Sequence, residues 1–298
     1  MLRTLAIVAA LSLLAAPGAL AKPAKKAAKP AADKYLEPFP AHHVAGNIYF
    51  VGTVGQANYL VTTPQGNILI NSGIEGDVPM IKASIAKLGF KYSDTKILLI
   101  SHAHFDHDAG SAQVIKDTGA KYEVMDSDVP VVQSGGKEDF NYGDKGGENL
   151  YPPVKVDRVL HDGDTVSLGG TVLTAHKTPG HTKGCTTWTM KVNEGGKSLN
   201  VVIVGSPNVN PGYVLVGNKK YPNIAQDYEK TFRVLKSLHT DIFLGAHGDY
   251  YGLPAKYAKL KPGNPNPFID PDGYKAYIAD REAAFRKNLA EQQAGAKP

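Results

Sequence analysis

The sequence predicts a single α/β domain in which two β-sheets pack face to face, with helices on their outer faces. Two observations lead to this prediction. Short apolar runs bounded by turn residues, which are typical of strands, cluster in two series along the chain. Segments with apolar residues at helical spacing are interspersed in both halves. No repeat of roughly 20–50 residues is visible, so solenoids and propellers are not supported.

The first series of predicted strands lies in the N-terminal half. NIYFVGTV begins at Asn47, and ANYLVTT and NILINS follow it, with the turn residues Pro64 to Asn67 between the last two. Residues 77–88 place their apolar side chains largely on one face, which indicates a helix. The run KILLIS, residues 96–101, is an apolar strand that leads into a histidine-rich loop.

The second series covers residues 156–204 and consists of VDRVL, DTVSL, TVLTAH, CTTWTMKV and LNVVIV. An amphipathic helix is predicted over residues 223–239, because Ile224, Tyr228 and Leu235 lie on one stripe. The segment that begins at Tyr274 repeats this spacing and predicts a C-terminal helix.

The first 40 residues are predicted to precede the domain. Residues 1–21 combine an early arginine, a short apolar run and a final Ala-Leu-Ala, which is the layout of a secretory signal peptide. We therefore expect a periplasmic or secreted protein; an N-terminal membrane anchor is the alternative. Residues 22–40 begin with a stretch rich in Lys, Ala and Pro, which predicts a mobile arm. The catalytic domain would then span residues 41–298.

Charge and cysteine content limit the classes of partner. The formal net charge is +5 at pH 7. Arg3 and the stretch from Lys22 to Lys34 account for all of it, so residues 35–298 are neutral overall. A nucleic-acid-binding face is therefore not expected. The single cysteine, Cys185, excludes an internal disulfide and a zinc finger built on thiolates, and we interpret it as a core thiol. We also expect a monomer with no stable membrane span.

Potential metal ligands concentrate in the motif His102-Ala103-His104-Phe105-Asp106-His107. Residues two apart in a helix point about 200° from each other, so His102 and His104 can share an ion only in an extended loop. The adjacent Asp106 and His107 are expected to diverge, which would suit a second ion beside the first. Imidazole and carboxylate ligands without a thiolate favour zinc in an open, catalytic site.

Two later histidines have similar surroundings. His181 lies in Pro-Gly-His-Thr and His247 in Gly-Ala-His-Gly, and both loops follow apolar strands. We interpret both as further ligand candidates. The remaining histidines have no such spacing and are interpreted as structural or surface residues: His42, His43, His161, His176 and His239.

The sequence resembles the metallo-β-lactamase superfamily, whose signature is His-x-His-x-Asp-His after an apolar strand, over nearly all of residues 45–265. The resemblance implies an αββα sandwich of two mixed sheets, with the metals at one edge. Many members that hydrolyse other substrates carry a Gly-Asp pair where this chain has Gly205-Ser206. In this feature, and in the stretches 133–136 and 210–213, the chain is similar to the subclass B3 β-lactamases.

The resemblance also implies how the candidate ligands divide between two zinc ions per chain. His102, His104 and His181 would bind the first ion, and Asp106, His107 and His247 the second. Asp106 would in addition be the catalytic residue that orients the nucleophile.

Three further positions take implied roles from the same resemblance, and Tyr142 is added because it lies in the glycine-rich loop 134–147. Ser206 and Asn210 would bind the carboxylate of the substrate, and Tyr142 is a candidate for the wall of the cleft. Asn71 stands where the superfamily commonly has an aspartate that supports a ligand histidine. An uncharged support implies a lower metal affinity.

The predicted function is hydrolysis of the β-lactam amide of penicillins, cephalosporins and carbapenems, through a hydroxide that the metal generates at neutral pH, with antibiotic resistance as the outcome. No covalent intermediate is needed, and no Gly-x-Ser-x-Gly nucleophile elbow is present. One alternative is another di-zinc hydrolase of the same fold, such as a lactonase, although Ser206 in place of the bridging aspartate disfavours it. A secreted metal-binding protein without catalysis is the other.

Overall fold

Two β-sheets form the centre of the computed structural model, which describes residues 36–295. The first sheet has its strands in chain order: β1 (His42–Ala45), β2 (Ile48–Phe50), β3 (Tyr59–Thr63), β4 (Gly66–Ile70), β5 (Thr95–Leu99), β6 (Lys121–Met125) and β7 (Arg158–Leu160). The second has the order β12-β11-β10-β9-β8, from β8 (Thr165–Leu168), β9 (Thr171–Lys177), β10 (Thr186–Glu194), β11 (Lys197–Val204) and β12 (Ile242–Gly245).

Both sheets are mixed. In the first, β1 to β4 pair antiparallel, whereas β4 to β7 pair parallel. In the second, β8 to β11 pair antiparallel and β12 joins β11 in parallel. Parallel neighbours need a crossover connection, and the first five of the seven described helices lie in these crossovers, whereas the last two follow β12. The described residues thus form the predicted sandwich of two mixed sheets.

Side chains alternate between two hydrophobic clusters along the strands of the first sheet. Ile68 and Ile70 of β4 face the second sheet, whereas Leu69 between them faces the outer helices. Ile97 and Leu99 of β5 face inward in the same way, and Leu98 faces outward. This two-residue period explains why apolar side chains follow one another without interruption: both faces of these strands are buried.

The helices cover the outer faces. Val78, Ile81 and Ile85 of the first helix belong to the outer cluster of the first sheet, and Phe232 and Phe285 of two later helices pack with the second sheet. The helices are α1 (Val78–Lys87), α2 (Phe105–Asp108), α3 (Ser111–Thr118), α4 (Val129–Gln133), α5 (Ile224–Ser237), α6 (Leu253–Lys259) and α7 (Pro271–Gly295). Within residues 36–295, none of them has the length and apolar character needed to cross a membrane.

The observed elements confirm most of the predicted ones and add two strands, β1 and β6, that the sequence analysis did not identify. The strands β1 and β6 have only four and five residues. The predicted signal peptide and most of the predicted arm lie outside the described residues. The arm was predicted to extend to residue 40, but Phe39 packs against Phe50 and Tyr257, so ordered contacts begin before that boundary.

Two of the residues interpreted as structural, His42 and Cys185, lie in the interior of the protein. His42 is buried and stacks between Phe50 and Phe268, with ring centroids 5.2 and 5.7 Å away. Burial lowers the pKa of His42 and outweighs its hydrogen bond to a backbone carbonyl. Cys185 is a buried free thiol, and burial raises its pKa, so the thiolate needed for reactivity is disfavoured.

Trp188 of β10 joins the two sheets directly beneath the histidine-rich loop. Its indole Nε1 donates a hydrogen bond of 3.1 Å to the carbonyl of Ile100, which follows β5. The neighbouring Thr186 amide donates to Ser101 at 2.8 Å. The end of β5 is therefore held by the opposite sheet at the point where the ligand candidates begin.

We predict that Trp188→Phe lowers the free energy of unfolding by about 1–3 kcal/mol, because the buried Ile100 carbonyl loses its partner. The smaller ring also leaves a cavity. Urea denaturation measures the loss. Val172→Ala, at a position that is 48% exposed, is the control and should change stability by roughly 0.5 kcal/mol or less. Equal stability of Trp188→Phe and wild type would contradict this role.

Candidate active site

The motif of residues 102–107 changes from extended to helical in its middle. Beyond β5 the chain stays non-helical through His104, which has φ −90° and ψ 154°. The helix α2 then begins at Phe105, and the amides of His107 and Asp108 both donate to the carbonyl of His104 at 3.0 Å. His102 and His104 therefore lie in an extended stretch, as the two-residue spacing predicts, and Asp106 and His107 lie on one helical turn.

The structure brings the six predicted ligand residues together at one edge of the sheets. The donor atoms of His102, His104 and His181 lie within 4.8 Å of one another, and so do those of His102, Asp106 and His107. His247 completes the second set: its Nε2 lies 3.1 Å from Nε2 of His107 and 3.6 Å from Oδ2 of Asp106.

The expected divergence of Asp106 and His107 is wrong. Oδ2 of Asp106 lies 3.5 Å from Nε2 of His107, so the two side chains converge on one place. Adjacent residues of a helix are about 100° apart, and the rotatable bonds of both side chains span that angle. His102 also belongs to both donor sets, so the two sets adjoin.

Backbone carbonyls fix the orientation of two of the imidazoles. His181 Nδ1 lies 2.8 Å from the carbonyl of Asn208, and His247 Nδ1 lies 2.9 Å from the carbonyl of Gly55. A carbonyl only accepts, so each Nδ1 carries the proton and each Nε2 presents a lone pair. His104 has a carboxylate instead: its Nε2 lies 3.5 Å from Oδ2 of Asp139.

Burial keeps most of these imidazoles neutral. It lowers the pKa of His102 and His181 well below the ordinary value, and it lowers the pKa of His107 to about 3. His104 is the exception: burial lowers its pKa, but Asp139, together with Asp106 and Asp128, more than offsets this effect and raises it. Burial alone would raise the pKa of Asp106, but the surrounding imidazoles lower it, so the carboxylate is ionised.

This donor set fits zinc. Neutral imidazole nitrogens and an ionised carboxylate are the groups that bind this metal, and no proton has to be removed from most of them at neutral pH. The two ring nitrogens 3.1 Å apart, with a carboxylate oxygen beside both, form a pocket of lone pairs that a cation would satisfy.

A cavity of about 620 Å³ opens above the donor atoms. Its floor includes His104, Asp106, His181 and His247, and one wall includes Tyr142 and Asn210. The amide of Asn210 donates to the hydroxyl of Tyr142 at 3.0 Å. A cavity of this size accommodates a small organic molecule. Among the described residues, no lysine or arginine lines it.

Known proteins have the same fold and similar sequences. Residues 51–194 match the metallo-beta-lactamase superfamily. The native FEZ-1 metallo-beta-lactamase from Legionella gormanii is 57% identical, with a TM-score of 0.85, over 86% of this chain and 98% of that one. BJP-1, a subclass B3 metallo-beta-lactamase of Bradyrhizobium japonicum, is 41% identical, with a TM-score of 0.84, over 90% of this chain and 100% of that one.

The chain belongs to the subclass B3 metallo-β-lactamases. It is thus a hydrolase with zinc as its cofactor. A metal-dependent hydrolase from Rubrobacter xylanophilus is also similar, at 35% identity over 104 residues, but the match spans only 41% of that relative.

Two positions of this B3 enzyme differ from what the resemblance implied. Ser206 is 1% exposed and does not line the cavity. Its hydroxyl lies 3.1 Å from the hydroxyl of Tyr250 and accepts a hydrogen bond from the backbone amide of Asn208. Tyr250 and Asn208 stand on the wall in its place. Ser206 therefore supports the wall from behind and does not face a substrate.

Asn71 does not support a histidine. Its Oδ1 accepts hydrogen bonds from the amide and the hydroxyl of Ser101, at 2.8 and 2.9 Å, and its Nδ2 donates to the carbonyl of Ala57. Its φ of +66° is one that asparagine tolerates better than most residues. Asn71 thus fixes the residue before His102, and a lower metal affinity does not follow from a missing ring contact.

Several residues of the site escaped the sequence analysis. Gln56 is buried and donates to Oδ2 of Asp106 at 2.9 Å, and Asp139 lies beside His104. Gln56 sits in a loop next to glycine, and Asp139 in a polar segment. Neither has a spacing that marks it as a partner of the motif. Only their positions in the fold identify them.

The C-terminal helix holds the wall loop, residues 206–215, from outside. Gln292 of α7 donates to the carbonyl of Tyr213 at 2.9 Å and accepts from the amide of Leu215 at 2.7 Å. Tyr213 in turn donates its hydroxyl to the carbonyl of His181 at 2.8 Å. The loop that carries Asn210 is therefore fixed between α7 and a ligand candidate.

We predict that Ser206→Ala leaves the zinc content unchanged and the KM for a penicillin unaltered, because its hydroxyl faces the protein interior. The lost hydrogen bond should lower stability by about 0.5–1.5 kcal/mol. Metal analysis, thermal unfolding and steady-state kinetics measure the three effects. Asn210→Ala is the matched variant on the cavity wall and should raise KM. A rise as large for Ser206→Ala would mean that the serine reaches the substrate.

Proposed function

We propose that this enzyme hydrolyses the amide bond of β-lactams, including penicillins, cephalosporins and carbapenems, and thereby confers resistance to them. The observation that supports this most is that two adjoining sets of metal-donor atoms lie on the floor of a cavity whose wall includes Asn210. The similar enzymes from Legionella and Bradyrhizobium are described as metallo-beta-lactamases. A lactonase activity has less support, because Gly205-Ser206 follows the strand β11 and supplies no further carboxylate.

The ligand roles in this proposal follow the two donor sets. His102, His104 and His181 would hold the first zinc ion, and Asp106, His107 and His247 the second. When bound, zinc supplies Lewis acidity, which lowers the pKa of water toward neutrality and polarises a carbonyl oxygen.

Asp106 is the proposed catalytic residue. Its Oδ2 accepts from Gln56 and faces His107 and His247 of the second donor set, which leaves Oδ1 to accept a hydrogen bond from the attacking water. The low pKa of Asp106 keeps this oxygen an acceptor at neutral pH. The side chain would therefore orient the water toward the carbonyl carbon above the donor set.

The wall of the cavity would bind the substrate carboxylate without a formal positive charge. Asn210 gives one amide hydrogen to Tyr142, and its second amide hydrogen can reach a carboxylate oxygen. No lysine or arginine of the described residues lines this cavity, so recognition depends on neutral donors and on the metal. A wall without a cationic side chain suits a broad range of β-lactams, because it does not require the substrate carboxylate to lie at one fixed position.

We also propose export of the enzyme. The predicted signal peptide at residues 1–21 and the lysine-rich stretch after it precede the described residues, and the catalytic domain follows them. A periplasmic or secreted enzyme would meet β-lactams before they reach the cell wall enzymes that they inhibit. The protein is proposed to act as a monomer.

A turnover assay tests the proposed substrate. Purified protein should hydrolyse nitrocefin and imipenem, a chelator should abolish both activities, and added zinc should restore them. The same preparation is offered an acyl-homoserine lactone as the competing substrate class. Lactone opening without β-lactam hydrolysis would overturn the proposal in favour of the lactonase. Zinc binding without either activity would favour a metal-binding protein.

We predict that His181→Ala and His247→Ala each lower the zinc content from two ions to one per chain. Each loss removes one of three donors from a set, and imidazole is a main contributor to zinc affinity. Metal analysis after dialysis gives the count. His176→Ala, at a histidine of β9 that bonds Thr189 instead, is the control and should keep both ions. Full zinc content and turnover in either ligand variant would show that its ligand assignment is wrong.

A further inference from the structure

The two loops that supply the first donor set come from different parts of the fold. His104 follows β5 of the first sheet, and His181 lies between β9 and β10 of the second. One backbone bond, from the Thr186 amide to the Ser101 carbonyl, joins the outer ends of these loops, but no strand pairing continues toward the two histidines. The separation of His104 and His181 therefore depends on side-chain contacts. Asp128, at the start of α4, lies between them.

The carboxylate of Asp128 binds both loops. Its Oδ2 accepts the amide of Ala103 at 3.0 Å and the hydroxyl of Thr182 at 2.7 Å. Its Oδ1 accepts the amide of Gly184 at 2.7 Å. The residue is 1% exposed, so these three donors take the place of water. Ala103 and Thr182 are the direct neighbours of His104 and His181.

Close packing around Asp128 leaves the second loop little room to move relative to the carboxylate. A Cβ atom at Gly184 would lie 2.5 Å from the Asp128 amide nitrogen and 2.7 Å from its Cγ, closer than real Cβ atoms come. Residue 184 must therefore be glycine for the second loop to reach the carboxylate. The loops are held by a short, buried contact and not by long surface side chains.

We propose that Asp128 is a positioning residue that fixes the distance between the His104 and His181 loops and so assembles the first metal site. The inference rests on the proposed ligand roles of these histidines. The carboxylate is needed because it accepts three hydrogen bonds at once. An asparagine in its place would turn an NH2 group toward one of the donors, and the two would repel each other.

Asp128→Asn separates this role from general packing because it keeps the size of the side chain. The purified variant is titrated with zinc against a chromophoric chelator, and the cobalt-substituted form gives the absorption spectrum of each site. We expect the affinity for the first ion to fall by about 10–100-fold, as for other residues that orient metal ligands. The cobalt bands of that site should shift, while the second ion is retained.

Two further variants make the test specific. Asp126→Asn changes a partly exposed carboxylate two residues earlier, which contacts Lys177 and Ser127, and should bind both ions like wild type. Thr182→Val removes one of the three donors without adding another, and should give a smaller loss of affinity than Asp128→Asn. If Asp128→Asn does not fold, Thr182→Val alone decides the outcome.

The possible failures are distinguishable. Wild-type affinity and an unchanged cobalt spectrum in folded Asp128→Asn, or in Thr182→Val where that variant decides, would overturn the role of Asp128 and leave the ligand assignment intact. Wild-type protein that binds fewer than two zinc ions would contradict the ligand assignment itself.

Discussion

The gathering of five imidazoles and a carboxylate in one buried place is the constraint on which the rest of the structure depends. Polar groups that leave water must find other partners, and neutral imidazoles need theirs on the side that faces away from the site. The carbonyls of Asn208 and Gly55 supply two of these partners, behind His181 and His247, and the carboxylate of Asp139 lies 3.5 Å from His104. The loops therefore follow paths that put these acceptors behind the histidines.

The sandwich makes such loop paths possible. The parallel pairs β4–β5 and β11–β12 direct their carboxyl ends to one edge, and Asn71, the histidine motif, Ser206 and His247 follow those ends. Trp188 crosses between the sheets at the same edge and holds the start of the motif loop. The rigid layers thus carry the ligands on short extensions, which limits how far each imidazole can move.

Sequence patterns identified the candidate donor residues that the structure brings together, and most of the strands, because both signals are local. The two-residue spacing of His102 and His104 excludes a helix, and the apolar runs before each histidine loop identify the strands that end there. The roles of Ser206 and Asn71 were not predictable in this way. Whether a loop side chain faces the cavity or the interior depends on residues far away in the sequence, such as Tyr250 for Ser206 and Ser101 for Asn71.

The attachment of the wall loop to α7 has a consequence for how this enzyme can diverge. Gln292 is remote in sequence from the metal ligands, yet it bonds the backbone on both sides of Val214, a few residues after Asn210. Substitutions on the C-terminal helix can therefore shift the wall, and they also reach His181, because the wall loop contacts this histidine through the Tyr213 hydroxyl and the Asn208 carbonyl. This helix can thus alter the cavity wall and the orientation of one ligand candidate together, from positions that lie outside the cavity.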